Sequence, residues 1–327
     1  MNPDRKRWLI RGVKFFGGLL ILGFIGWQFR ALPEHDFSQL EWRPGWLAAS
    51  GGLYLVGLIP SAWFWRYLFQ RFGYPAPLLA AMRAHYISQL GKYVPGKALA
   101  VAMRAIFLHP WGVPYGVSII ASFYEVLTGM AAGALVAALI YLVQPPAAMA
   151  DLGWHPLWVG VGLVALCGVP LMPGVFNFVI ARLESRIQAV ELYRLPPVRF
   201  GTLALGLAVT GAGWWVIGLA WWAMLQAVLV NPPDLTPYWW AQCTASIAFA
   251  NVAGFAIAVL PGGLGVREVL LWKLLSSETP DGYIALAALL LRLDWIVAEA
   301  LFAAGAYWIK PVSPRISKAF PGGNGTP

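Results

Sequence analysis

"AVLPGGLGVREVLL", residues Ala258 to Leu271, is the stretch whose reading decides how this chain is built. It lies in an otherwise apolar region, yet holds a proline, three glycines, an arginine and a glutamate. It is either an ordinary loop between two hydrophobic helices or a backbone break inside a membrane. In hydrocarbon each unpaired backbone N–H or C=O costs several kcal/mol, so a break survives only where protein or a water-filled cavity covers it. Such breaks usually line something.

The rest of the chain favours the membrane. With 59% hydrophobic and 11% charged residues and a mean hydropathy of +0.66, a soluble surface would be far too apolar. The 18 tryptophans suit a protein with two membrane–water interfaces to fill. A crossing needs about 20 helical residues, and stretches of that kind occur near residues 12–29, 46–69, 115–142, 157–179, 202–229 and 284–309. The first follows "MNPDRKRWLIRGVK", a signal-peptide-like start with no small-residue cleavage site before "RALPEHDF", and reads as a retained anchor.

Charge orients these six spans. Lysine and arginine cluster at the N-terminus, at Arg66 and Arg71, between Arg182 and Arg199, and at Lys310, Arg315 and Lys318, which places those sides in the cytoplasm. The alternate loops carry Glu34, Asp36, Glu41, Asp151, Asp234, Glu278 and Asp281 against only Arg30 and Arg43. The chain then divides into a cytoplasmic segment (1–11), a single transmembrane domain (12–309) and a cytoplasmic tail (310–327) in a bacterial-type inner membrane.

With both termini inside, the count closes only if the interrupted regions 78–108 and 238–275 each enter and leave on one side. They read as two opposed re-entrant helical hairpins, although two pairs of full spans, or one tilted span with a loop, also fit the apolarity. Both break at Pro-Gly, at Pro95-Gly96 and at Pro261-Gly262. Residues 46–142 and 202–309 follow the same plan inverted, and interrupted segments at corresponding positions of inverted repeats point to a transport site between them. The expected fold is all-α and polytopic.

Chemistry concentrates at the breaks. Pro261, Gly262, Gly263 and Gly265 allow unusual dihedrals, and a helix restarting near Val266 would aim free N–H groups at the break beside Arg267, an arrangement suited to an anion. Lys92 and Lys97 flank the other break. The competing reading is that the glycines only let helices pack and the basic side chains snorkel. Glu125, Asp294 and Glu299 lie within spans, where a charge at the bilayer centre costs at least about 2.5 to 3.5 kcal/mol, so they should face the interior and pair. Glu125 lies 125 − 96 = 29 residues beyond Gly96 and Asp294 294 − 262 = 32 beyond Gly262, so repeat symmetry would put both at the site. Structural pairs of Glu125 with Arg83 or Lys92, and of Asp294 with Arg267, are the alternative. Glu268 is left open, because Lys273 stands at a poor spacing for it.

"QLGKYVPGKAL" (Gln89 to Leu99) and "LPGGLGVRE" (Leu260 to Glu268) closely resemble the two signatures of the lysylphosphatidylglycerol synthase transmembrane-region family, and the likeness runs over roughly residues 10 to 310. The resemblance implies a lipid-handling membrane domain. In multiple peptide resistance factor proteins such a domain is a flippase for aminoacylated phosphatidylglycerol, ahead of a cytoplasmic domain that transfers the amino acid from tRNA. This chain resembles stand-alone members without that transfer domain, so synthase activity is not expected. By motif, Lys92, Pro95, Gly96 and Lys97 match the first signature, and Pro261, Gly262, Gly263, Gly265, Arg267 and Glu268 the second.

Soluble-type chemistry finds no footing. His35, His85, His109 and His155 are scattered without metal-ligand spacing and read as interfacial or loop residues. No P-loop, dinucleotide fingerprint or nucleophile elbow is present. Cys167 and Cys243 read as apolar packing residues. The +9 charge follows from the cytoplasmic basic clusters and does not call for nucleic acid.

The expectation is a flippase moving an anionic, phosphate-bearing phospholipid or polyprenyl lipid between leaflets. Lys92, Lys97, Arg267 and Arg83 would hold the headgroup, while Glu125, Glu268, Asp294 and Glu299 balance charge or couple protons. Catalytic residues, metals and cofactors are not expected. Partners are the lipid itself and either a second copy or a neighbouring lipid or glycan synthase. The alternatives are an intramembrane transferase using Glu125, Glu268 or Asp294 as base, and a non-catalytic partner of a synthase.

Overall fold

Helix α1 (Pro44–Gly57) runs almost straight into α2 (Ile59–Arg71), with Pro60 in the first turn of α2 supplying the discontinuity. The computed structural model describes residues 42–93, 98–146, 156–186, 195–256, 265–275 and 281–308. Next come α3 (Leu78–Gln89) with a 3-10 turn at Leu90–Tyr93, then α4 (Ala98–Leu108) and the long α5 (Tyr115–Val143). Pro156–Gly168 forms α6 and Pro173–Arg186 forms α7. The remaining helices are α8 (Phe200–Val228), α9 (Pro237–Ala256), α10 (Val266–Leu275) and α11 (Asp281–Trp308). Among the described residues there is no strand.

Among the described residues three helical segments are long and apolar enough to cross a membrane: α1 with α2 over 28 residues, α5 over 29 and α8 over 29. The stretch expected at 157–179 is two helices. They bend by 49° between α6 and α7, where Pro170 and Pro173 each remove a backbone donor. If the bent pair is one span, the number of candidate crossings rises to four. The stretch expected at 284–309 is the 28-residue α11, which carries Arg292, Asp294 and Glu299 near its middle. The expected first span, 12–29, lies outside the described residues, as do the two terminal segments.

Packing repeats between the two halves of the chain. α3 packs on α4 as α9 packs on α10, and α4 on α5 as α10 on α11. α2 meets α3 as α8 meets α9, and α2 meets α5 as α8 meets α11. Across the halves, α11 lies on α3 while α5 lies on α9, and α1 touches α11 while α8 touches α5. The crossing of α1 and α8 sits between these paired sets. There Gly57 faces Gly213, and a Cβ added to Gly213 would stand 2.7 Å from the Gly57 carbonyl oxygen. Small residues let two backbones approach where hydrocarbon supplies no hydrophobic drive between helices.

Among the described residues two large apolar clusters fill most of the bundle, with a small third at Ile87, Ala303 and Ala306. One joins Trp221, Met224 and Leu225 of α8 to Ile247 of α9, Leu271 of α10 and Leu291 of α11. The other gathers Phe64, Trp65 and Phe69 of α2 around Ala84 of α3 and Tyr124 of α5. Large apolar side chains also face outward, among them Leu139, Leu142, Val143, Leu301 and Trp308. That is the surface a lipid-embedded bundle requires.

Candidate functional site

α4 and α10 are each tied to the following long helix by a buried ion pair. In the first half Arg104 of α4 reaches Glu125 of α5, Nη1 to Oε2, at 2.5 Å. In the second half Arg292 of α11 reaches Glu268 of α10, Nη1 to Oε1, at 2.7 Å. The helix positions correspond while the charges are exchanged.

The first pair is held by a local polar network. His85 Nε2 lies 3.5 Å from Glu125 Oε1, and Arg104 Nε donates to Ser88 Oγ at 3.1 Å. Ser88 Oγ in turn donates to the His85 carbonyl, and the Arg104 guanidinium lies 5.2 Å from the centre of the Trp65 ring. The second pair is fixed by helix capping. Gly265 turns with φ of 85°, and its N–H donates to Glu268 Oε2 at 2.8 Å. Glu268, third in α10, thus reaches back to the residue before the helix, as a capping glutamate does. Its Oε1 is left for Arg292.

A third cluster joins the halves to each other. Glu299 of α11 accepts from both Lys92 Nζ and Tyr54 Oη, and Lys92 Nζ also donates to Tyr54 Oη at 2.9 Å. The Tyr54 ring stacks on Trp295 of α11, centroids 3.9 Å apart and planes within 9°. The Arg267 guanidinium lies 4.0 Å from the centre of the Trp295 ring. Arg267 is 7% exposed, and its Nη2 has no hydrogen-bond partner among the described residues. A buried guanidinium spends its fixed donors somewhere in nearly every folded protein. Here the flat cation rests on an aromatic face with donor capacity in reserve.

Lys92, Arg267 and Glu299 are therefore brought together around Tyr54 and Trp295. Arg83 stands apart: its Nε donates to the Ala306 carbonyl at 2.8 Å and its Nη2 to that of Tyr307 at 3.4 Å, so it caps the C-terminal end of α11. Glu125 pairs with neither Arg83 nor Lys92 but with Arg104, because the packing of α4 on α5 brings their facing sides together. Asp294 does not pair with Arg267. It faces α1, where a Cβ added to Gly51 would stand 3.0 Å from Asp294 Oδ1. The α11 residue in the place of Glu125 is Arg292 rather than Asp294. His85, expected in a loop or at an interface, is fully buried on α3, where Glu125 is the polar neighbour of its ring. His109 does lie in the turn after α4, stacked on Tyr115. Lys97 and the hinge residues Pro95, Gly96, Pro261, Gly262 and Gly263 lie outside the described residues, as do His35 and His155.

Sequence reasoning missed Tyr54, Arg104 and Trp295. Arg104 carried a signal, since it interrupts the apolar run "ALAVAMRAIFL" and an arginine in such a run should have a partner. Tyr54 and Trp295 gave none, because aromatic residues abound here. Cys167 and Cys243 are both buried, as expected. No group of three or more metal-ligating side chains occurs among the described residues.

The long apolar helices and the buried ion pairs between them define a multi-pass helical membrane protein. The chain belongs to the family described as the lysylphosphatidylglycerol synthase TM region, which it matches over residues 14–296. Membership links it to lipid metabolism or transport. No curated protein matches the chain.

Proposed function

We propose that this protein is a lipid flippase of an inner membrane, moving a phosphate-bearing anionic lipid between leaflets. The observation that carries the reading is Arg267: a buried guanidinium on the Trp295 ring with an unused Nη2, one residue from a charge-paired capping glutamate. A phosphate oxygen is the natural acceptor for that nitrogen, since guanidinium donors match phosphate geometry. Lys92 stands next to it across the junction, engaged by Glu299 and able to turn toward an incoming anion. Lys97 is proposed as a further basic contact, with Glu125, Glu268 and Glu299 balancing the fixed cations.

The same reading makes the two hairpins re-entrant and the halves an inverted repeat, with both termini cytoplasmic. At 12 residues α3 reaches about 18 Å, against about 30 Å of hydrocarbon, while α9 at 20 residues reaches about 30 Å. The exchange of packing partners between halves supports a pseudo-two-fold axis, and rocking of one half against the other would open the junction to alternate sides. The test is leaflet-resolved movement of labelled phosphatidylglycerol, its aminoacyl derivative and a polyprenyl phosphate in proteoliposomes. One of them should move chemically unchanged and stop moving in Arg267→Ala. Conversion of lipid to a new species, or equal movement by the variant, refutes the reading.

A further inference from the structure

The four intramembrane acids differ in one respect. Glu125 faces Arg104, Glu268 faces Arg292 and Glu299 faces Lys92, whereas Asp294 has no basic side chain within ion-pair distance among the described residues. Asp294 is partly buried, its Oδ2 has no hydrogen-bond partner among the described residues, and Ser50 is the polar side chain beside it. An ionised carboxylate without a counter-charge in such a contact is disfavoured, and it escapes that cost by binding a proton or drawing in water.

Among the described residues the surroundings offer no other counter-charge. α1 presents Ser50 and Tyr54, and Tyr54 is engaged by Lys92 and Glu299. α8 has no titratable side chain. On α10, Arg267 lies over Trp295 and Glu268 holds Arg292, while Lys273 is five residues further along. On α3, His85 is taken by Glu125, Arg83 by the end of α11, and Tyr86 Oη donates to the Leu55 carbonyl. Lys92 in the following turn is held by Glu299, with Tyr93 next to it.

The location gives the group a consequence. Asp294 lies in the contact of α1 with α11, which is a contact between the two halves, and glycine at 51 is what leaves room for it: an added Cβ would be 3.0 Å from Oδ1 and 3.2 Å from Ala298 Cβ. We propose that Asp294 is a proton-binding site that couples proton uptake to the packing of the halves. Protonated, the carboxyl stays dry against Gly51 and Ser50 and the contact closes. Ionised, it brings water into the contact and opens it. The proton comes from water and returns to water. Its use to drive lipid movement rests on the flippase reading; the site itself does not.

Two measurements separate the two claims. The first is the acid-minus-alkaline infrared difference spectrum of the purified full-length protein in phosphatidylethanolamine–phosphatidylglycerol vesicles. A protonated-carboxyl stretch should appear in wild type, vanish in Asp294→Asn, shift in Asp294→Glu and persist in the loop control Asp234→Asn. Persistence of the whole band in Asp294→Asn overturns the proposal. The second is movement of fluorescent phosphatidylglycerol with and without a pH difference across the vesicle. The gradient should accelerate wild type and leave Asp294→Asn unaffected, and an equal response in both overturns the coupling. Absence of lipid movement together with a band that depends on Asp294 refutes transport of this lipid and upholds the proton site.

Discussion

Arg104 and Glu125 stand 2.5 Å apart between α4 and α5, and the same two positions of the other half are held by Glu268 and Arg292, 2.7 Å apart, with acid and base exchanged. Buried pairs of this kind contribute little net stability, because desolvation cancels most of the attraction. Breaking one by removing a single partner leaves a bare charge, at a cost of roughly 3–5 kcal/mol. In each half the pair therefore works as a registration pin, fixing the second hairpin arm on its long helix.

The pins should respond to substitution as pairs. Arg104→Ala or Glu268→Gln is expected to lower stability by about 3–5 kcal/mol, read as a reduced unfolding temperature in detergent. The double variant Arg104→Met with Glu125→Gln should recover much of the loss, because no charge is left stranded. Equal losses in single and double variants would show that the residues matter only for shape.

Lys92 and Glu299 should be strongly non-additive for the same reason. Lys92→Ala leaves Glu299 buried without its ion-pair partner. Adding Glu299→Gln removes the stranded charge and should restore folding yield without restoring lipid movement. Yield that falls further in the double variant would contradict this.

Arg267 is the opposite case. No ion pair holds it among the described residues, so Arg267→Ala should cost little stability beyond its packing on Trp295, while lipid movement is lost. Arg267→Lys keeps the charge but not the flat stacked fork, and should restore movement only in small part. Full activity with lysine would mean that a point charge suffices.

Gly51→Ala tests the tight contact of α1 and α11. Its methyl would meet Asp294 and Ala298 at 3.0 and 3.2 Å, so the halves must part slightly, a strain of about 1–3 kcal/mol typical of overpacking. A cysteine cross-link between α1 and α11 should form more slowly in this variant than in the otherwise identical protein. An unchanged rate would place the flexibility elsewhere.

The sequence made the helical membrane class and the inward-facing charges of the helices legible, because apolar runs and buried charges are each costly enough to leave a local mark. It did not reveal who pairs with whom. Asp294 and Arg292 are two residues apart, about 200° around a helix, so counting from the hinge glycines picked the neighbour that faces α1 over the one that faces α10. Glu268 could not be read as a cap and a pin at once until Gly265 and Arg292 were seen on either side of it. Tyr54 and Trp295 were invisible among so many aromatics, since their role comes from a stack between helices distant in the chain.

The measurement that tests the central claim most directly is the rate of labelled anionic-lipid movement by wild type and Arg267→Ala, reconstituted at equal amounts and with matched unfolding temperatures. Movement by wild type that falls to the protein-free rate in the variant is the predicted result. Wild-type movement by the variant, with its fold intact, would contradict a headgroup site at Arg267.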